Sequence, residues 1–237
     1  MSAGHAPVDL DDALAVVEYG SDAVDAALDA RLTDGLADTG AATLVARLRD
    51  LHRAMQAGRP REIRRGTGLI GRLLGRDVEA EADAAALQQR LGVLIADADR
   101  SAGALRTNAT RQQALQDELS QGIARIARTI KAARDWLDGE AVAGMAHPAH
   151  ERLERRLGQL ATVQATWELG ARQLHLLHDQ HLELLARYQR IRDVLLPTWR
   201  QGVLASAAAS GAAHNTAAAD AQAAIESEVA AMAATLD

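Results

Sequence analysis

The chain has 237 residues, 48% of them hydrophobic, yet only 2% aromatic, with no Phe and no Cys. The missing cysteine excludes disulfides, thiolate chemistry and Cys-ligated metals. A formal net charge of −6 without basic–aromatic interleaving argues against nucleic-acid binding. No apolar run approaches the ~20 residues of a membrane span.

Charge is unevenly spread. Residues 1–40 carry nine acids against Arg31 alone, a balance of −8, while residues 47–76 carry nine arginines and two acids, a balance of +7. The first stretch reads as short helices. Leu10, Leu14 and Val17 form one apolar side, and Ser21 is a candidate cap for a second helix running through Leu28. Thr39 or Thr43 opens a better helix, with Leu44, Leu48, Leu51 and Met55 on one face, ended by Gly58-Arg59-Pro60. Residues 61–76, REIRRGTGLIGRLLGR, follow. Their glycines argue against an isolated helix. They do not match the phosphate-loop pattern, lacking its Lys and hydroxyl residue.

Two stretches of comparable length come next, Asp77 to Asp138 and Ala149 to Gly211, the first without proline and the second with Pro197 alone. A short break holding Gly139, Gly144 and Pro148 joins them. Equal arms around a tight break predict an antiparallel hairpin, each arm on the order of 90 Å at about 1.5 Å per residue. The first arm keeps a seam of alternating four and three: Leu87, Leu91, Leu94, Ala98, Ser101, Leu105, Asn108, Gln112, Leu115, Leu119, Gly122, Ile126, Thr129, Ala133 and Trp136. The second keeps Leu153, Leu157, Leu160, Gln164, Trp167, Ala171, Leu174, His178, His181, Leu185, Tyr188, Arg192, Leu195 and Trp199. The Ala-rich remainder continues a stripe at Ile225, Val229, Met232 and Leu236.

The fold expected is therefore all-α: an elongated antiparallel bundle of long coiled-coil-like helices, a third Ala-rich helix packing back, and a small helical N-terminal region. Three sections follow from the composition: an acidic helical region 1–60, a basic Gly/Arg connector 61–76 and a long bundle 77–237. The N-terminus shows no basic region followed by an apolar core, so the expected compartment is the cytoplasm.

Chemistry is sparse. His175, His178 and His181, with Asp179, are the densest ligand-type group, but on a helix the three imidazoles span an arc of about 120°. Pairing the arms around the break sets His178 and His181 level with Asn108 and Gln112. The reading is a buried polar layer that fixes register, with no metal and no cofactor expected. No paired carboxylates and no nucleophile–base arrangement are seen, so no catalytic residue is assigned and no enzyme is expected. Arg59, Arg61, Arg64, Arg65, Arg72 and Arg76 form a candidate surface for an anion, an acidic partner or anionic lipid headgroups.

Leu196-Pro197-Thr198-Trp199-Arg200-Gln201 resembles the (I/L)-P-x-W-x-x-Q signature of the TelA-like toxic anion (tellurite) resistance family, with Gln201 one position ahead of the signature's Gln. Gly71-Arg72-Leu73-Leu74-Gly75 is similar to the family's G-x-L-x-G stretch, and residues 91–137 to its first long helix, with Asp117-Glu118-Leu119 and Ala132 to Leu137. The resemblance spans residues 44–205. It implies an all-helical cytoplasmic protein linked to tellurite and to other toxic or envelope stress, with Pro197, Trp199 and Gln201 as motif residues and no catalytic residue to carry over. The chain departs from the pattern in a shortened C-terminal part and in having His175, His178 and His181 where relatives are Asn- or Gln-rich. The function expected is a non-enzymatic scaffold or adaptor with a protein partner or self-association and a peripheral membrane contact. The alternatives are an oxyanion binder using the arginines and a metal-dependent detoxifying enzyme using the histidines.

The juxtaposed acidic and basic stretches yield a first expectation. Deleting residues 1–40 should strengthen binding to anionic vesicles at low ionic strength, and replacing Arg61, Arg64 and Arg65 with Ala should abolish the gain. Equal binding of all three proteins in a vesicle sedimentation assay would dismiss the competition.

Overall fold

The computed structural model describes residues 8–37, 40–57, 76–139, 148–208 and 212–236. Among them the chain is helical, with no strand. The helices are α1 (Ala13–Glu18), α2 (Ala26–Leu36), α3 (Gly40–Ala57), α4 (Arg76–Leu137), α5 (Pro148–Arg190), α6 (Leu196–Ala208) and α7 (Ala212–Ala234). A 3-10 turn, Ser21–Ala23, lies between α1 and α2, and a π turn, Ile191–Leu195, joins α5 to α6.

Packing divides the chain into two units: residues 1–38 with 110–178, and residues 39–109 with 179–237. This division does not follow the three sections expected from composition. The cause is that α4 and α5 each contribute one stretch to either unit, so two of the three crossings lie inside a helix.

In the first unit α4 and α5 run antiparallel. Gln116 donates to the Leu174 carbonyl at 3.5 Å, and the Trp136 ring meets His150 edge-on at 6.2 Å. Leu115, Leu119, Ile126, Ile130 and Ala133 of α4 close on Leu153, Leu157, Leu160, Trp167 and Leu174 of α5. The N-terminal segment covers this pair, burying Val16, Ala23, Leu28 and Leu32. Its acids serve as caps. Asp12 accepts from Leu14 N at 2.9 Å and Ala15 N at 3.2 Å; Asp25 accepts from Ala27 N at 2.9 Å and Leu28 N at 3.4 Å. Ser21 is not the cap of α2, because it opens the 3-10 turn that follows Gly20 at φ 70°, and the chain then extends through Val24 to Asp25, which takes the cap position. Tyr19 fastens the turn: its hydroxyl donates to Thr129 O at 3.0 Å, and its carbonyl accepts from Arg156 Nε at 2.8 Å.

Four helical stretches enclose the second core: α3, the first part of α4, the end of α5 running through the π turn into α6, and α7. Leu44, Leu48, Leu51 and Met55 form the expected face of α3 and meet Leu91, Ala98, Leu105, Leu184, Tyr188, Ile191 and Trp199. The Ala-rich α7 packs back on α3, the π turn and α6, as expected for the third helix.

The described seam positions of α4 are all buried or half-buried. On α5 the seam holds with one exception, Arg192, which is exposed. The cause is the π turn, in which Leu196 N–H reaches back to Ile191 O. The extra residue rotates the helix, so Ile191 enters the core in place of Arg192. The wider turn also gives room to Pro197, which has no N–H and whose ring crowds the carbonyl four residues back.

Gly122 is a close approach between α4 and α5 in the first unit. A Cβ there would lie 2.7 Å from Trp167 Cζ3 and 3.2 Å from Leu28 Cδ2. Gly122→Ala gains up to about 1 kcal/mol in helix propensity and loses ~1–3 kcal/mol to overpacking. The expected net is destabilisation of about 1 kcal/mol. Gly158→Ala, with nothing within 4 Å of the new Cβ, should stabilise the protein by ~0.5–1 kcal/mol. Urea denaturation of the two variants tests the opposite signs.

Candidate functional site

The residues expected to form one polar layer divide between the two units. In the first, Gln112 is 3% exposed, and its Nε2 donates to Gly35 O at 3.5 Å, fixing the end of α2 on α4. His178 is half-buried. The Gln116–Leu174 pairing sets Gln112 and His178 level, one turn along. Gln112 Oε1 and His178 Nδ1 have no hydrogen-bond partner among the described residues. In the second unit His181 is fully buried and Asn108 half-buried. His175 and Asp179 are exposed, so the three histidines face from solvent through to core. Among the described residues no group of three or more His, Cys, Asp or Glu is placed to hold a metal ion.

Arg59, Arg61, Arg64, Arg65 and Arg72 lie outside the described residues; Arg76 opens α4, its side chain likewise outside them. The acidic stretch opposite them in charge is no free arm. α1 and α2 supply Val16, Leu28 and Leu32 to the first core, so deleting residues 1–40 also uncovers Trp167 and its neighbours. Neutralising the exposed Asp29 and the other non-capping acids is the cleaner form of that vesicle experiment.

The family-motif residues separate by face. Trp199 is buried in the second core, while Pro197 and Gln201 are exposed, one turn apart.

The polar contacts between helices were beyond sequence reading. Tyr188, 1% exposed, donates its hydroxyl to Asp99 Oδ1 at 2.8 Å, and Arg192 Nε reaches the same oxygen at 2.7 Å. Arg192, displaced from the seam, thus bridges α4 and the π turn. Arg187 and Arg190 of α5 both hold Glu228 of α7, at 2.9 and 2.8 Å. Only the bracing pair within α5, Glu183–Arg187, has a local signal, the i, i+4 spacing. The others join residues tens of positions apart. No helix among the described residues is long and apolar enough to cross a membrane.

Antiparallel helix pairs, two apolar cores and inter-helix ion pairs define an all-α helical-bundle protein. The chain belongs to the TelA-like toxic anion (tellurite) resistance family. It is 30% identical over 199 residues to Protein KlaA of Escherichia coli, a match that takes in 79% of this chain and 76% of KlaA. No family model matches the chain, and no solved structure does.

Burial first, and then donation to Asp99, raises the Tyr188 phenol well above its ordinary 10.0; burial raises Tyr19 in the same direction. A folded-state pKa above the unfolded one gives stability that is complete below about pH 10 and lost as pH rises beyond it. Urea denaturation between about pH 9 and pH 11 should show this fall, and Tyr188→Phe should flatten it while costing about 1 kcal/mol at neutral pH. An unchanged alkaline slope in Tyr188→Phe would contradict the assignment.

Proposed function

We propose that the chain acts in toxic anion (tellurite) resistance as a non-enzymatic helical scaffold or adaptor in the cytoplasm. The observation that carries this reading is where the chemistry-bearing side chains go. Tyr188, Asp99, Arg187, Arg190, Glu228 and Gln112 are spent on tying one helix to another. Membership of the TelA-like family supplies the biological setting.

A scaffold acts through its surface. α5 leaves Leu169 57% and Leu176 69% exposed, one heptad apart on its outer side. A protein partner, or a second copy, would take up that stripe. Membrane contact belongs to the Arg-rich connector, where anionic lipid headgroups are the chemical match.

The test combines cells and purified protein. Leu169→Ser with Leu176→Ser should lower the tellurite tolerance that the wild-type gene restores to a deletion strain, with helical content unchanged. His175→Ala with His178→Ala should leave tolerance intact. Purified protein should neither consume tellurite in the presence of cellular reductants nor bind it in calorimetry. Catalytic loss of tellurite would establish an enzyme, and stoichiometric binding an oxyanion carrier; either result overturns the scaffold reading.

A further inference from the structure

The last helix of the second unit buries fewer large apolar side chains than α3, despite its greater length. α3, with 18 residues, buries Leu44, Val45, Leu48, Leu51 and Met55. α7, with 23, buries only Ile225, Val229 and Met232 among large apolar side chains. Its anchor is charged. Glu228, its side chain 12% exposed, sits between Arg187 Nη1 at 2.9 Å and Arg190 Nη1 at 2.8 Å. Glu183 braces Arg187 from the other side at 2.7 Å. Glu226 faces His52 of α3 at 3.6 Å, and Gln180 donates to the Thr235 carbonyl. A carboxylate so covered is strongly unfavourable once its cations are removed. Docking of α7 and pairing of Glu228 are therefore one event.

α7 does not depend on the core to remain a helix. Twelve of its residues are alanine, the strongest helix former. Its length exceeds the about 12–15 residues at which Ala-rich helices become marginally stable alone. Leaving the core exposes Ile225, Val229 and Met232 but costs it little of its own hydrogen bonding.

We infer that α7 is a detachable strap: a preformed helix whose docking on α3, the π turn and α6 is governed by the Glu228 clamp. The unit has two states, strapped and unstrapped. In the second, the face that α7 covers accepts another helix of the same chemistry, small apolar residues with a carboxylate at the level of Arg187 and Arg190.

Hydrogen exchange read by mass spectrometry on the full chain tests this. Glu228→Gln should speed exchange across residues 218–234 by about tenfold or more, the loss expected when a charge-assisted hydrogen bond goes. Exchange across residues 44–55 and far-UV circular dichroism should stay as in the wild type. A labelled peptide of residues 212–236 carrying Glu228 should then bind the Glu228→Gln chain and be excluded by the wild type. The same peptide with Glu228→Gln should bind neither. Should Glu228→Gln fail to fold, Arg190→Gln, at a largely exposed residue, should give the same faster exchange of α7 with α3 unchanged. Exchange of α7 and α3 in step in every variant, a loss of helicity matching the loss of protection, or peptide binding indifferent to residue 228 would overturn the strap.

Discussion

The heptad seam shared by α4 and α5 is the constraint from which the remaining packing follows. Two antiparallel helices bury one stripe each and leave a groove on either side of the contact. In the first unit that groove is filled by Val16, Leu28 and Leu32, and in the second by α3 and α7. With no Phe and few aromatics, the cores rely on Leu, Ile and Ala at regular spacing, and one large ring marks the narrow places. Trp167 seats over Gly122, where any side chain would collide with it. The glycine is thus a notch cut for a ring on the opposite helix, and the seam cannot slide past it.

Polar contacts set the detail on this apolar base. Tyr19 and Arg156 hold the N-terminal turn to the hairpin of the first unit. Asp99 gathers Tyr188 and Arg192 in the second, and Glu228 gathers Arg187 and Arg190. Exposed ion pairs contribute little, but these involve side chains that are partly withdrawn from water and hydrogen-bonded as well. They act on register and on which helix meets which more than on total stability.

The seam was legible because apolar residues at alternating four and three have one physical use in a helix, and every residue assigned to it except Arg192 is buried or half-buried. Arg192 was misplaced because a π turn shifts phase by one residue without a composition signal of its own; Pro197 just beyond it was the hint. The division into two units was illegible for a related reason. Two of its three crossings, 109/110 and 178/179, fall inside continuous helices, where helix-forming sequence looks alike on both sides. Of the candidate site, the level of Gln112 and His178 could be read from arm pairing alone. The partners of Asp99 and Glu228 could not, since spacing along a chain says nothing about charges brought together from distant helices. The family resemblance rested on a short motif, and the structure shows why half of it is structural: Trp199 belongs to a core.

The matched register of α4 and α5 has a consequence for how such a chain can change length. One residue inserted into either helix turns every later seam position by about 100° relative to the earlier ones. The apolar stripe would then be cut in two, and Trp167 would no longer find Gly122. Length variation inside the hairpin is therefore restricted to paired steps of about seven residues, one in each helix. Single-residue insertions and deletions can accumulate freely only outside the seam of these two helices. Relatives of different size should differ there, while the distance from Gly122 to Trp167 along the chain changes only with the connection between the two helices or in compensated pairs.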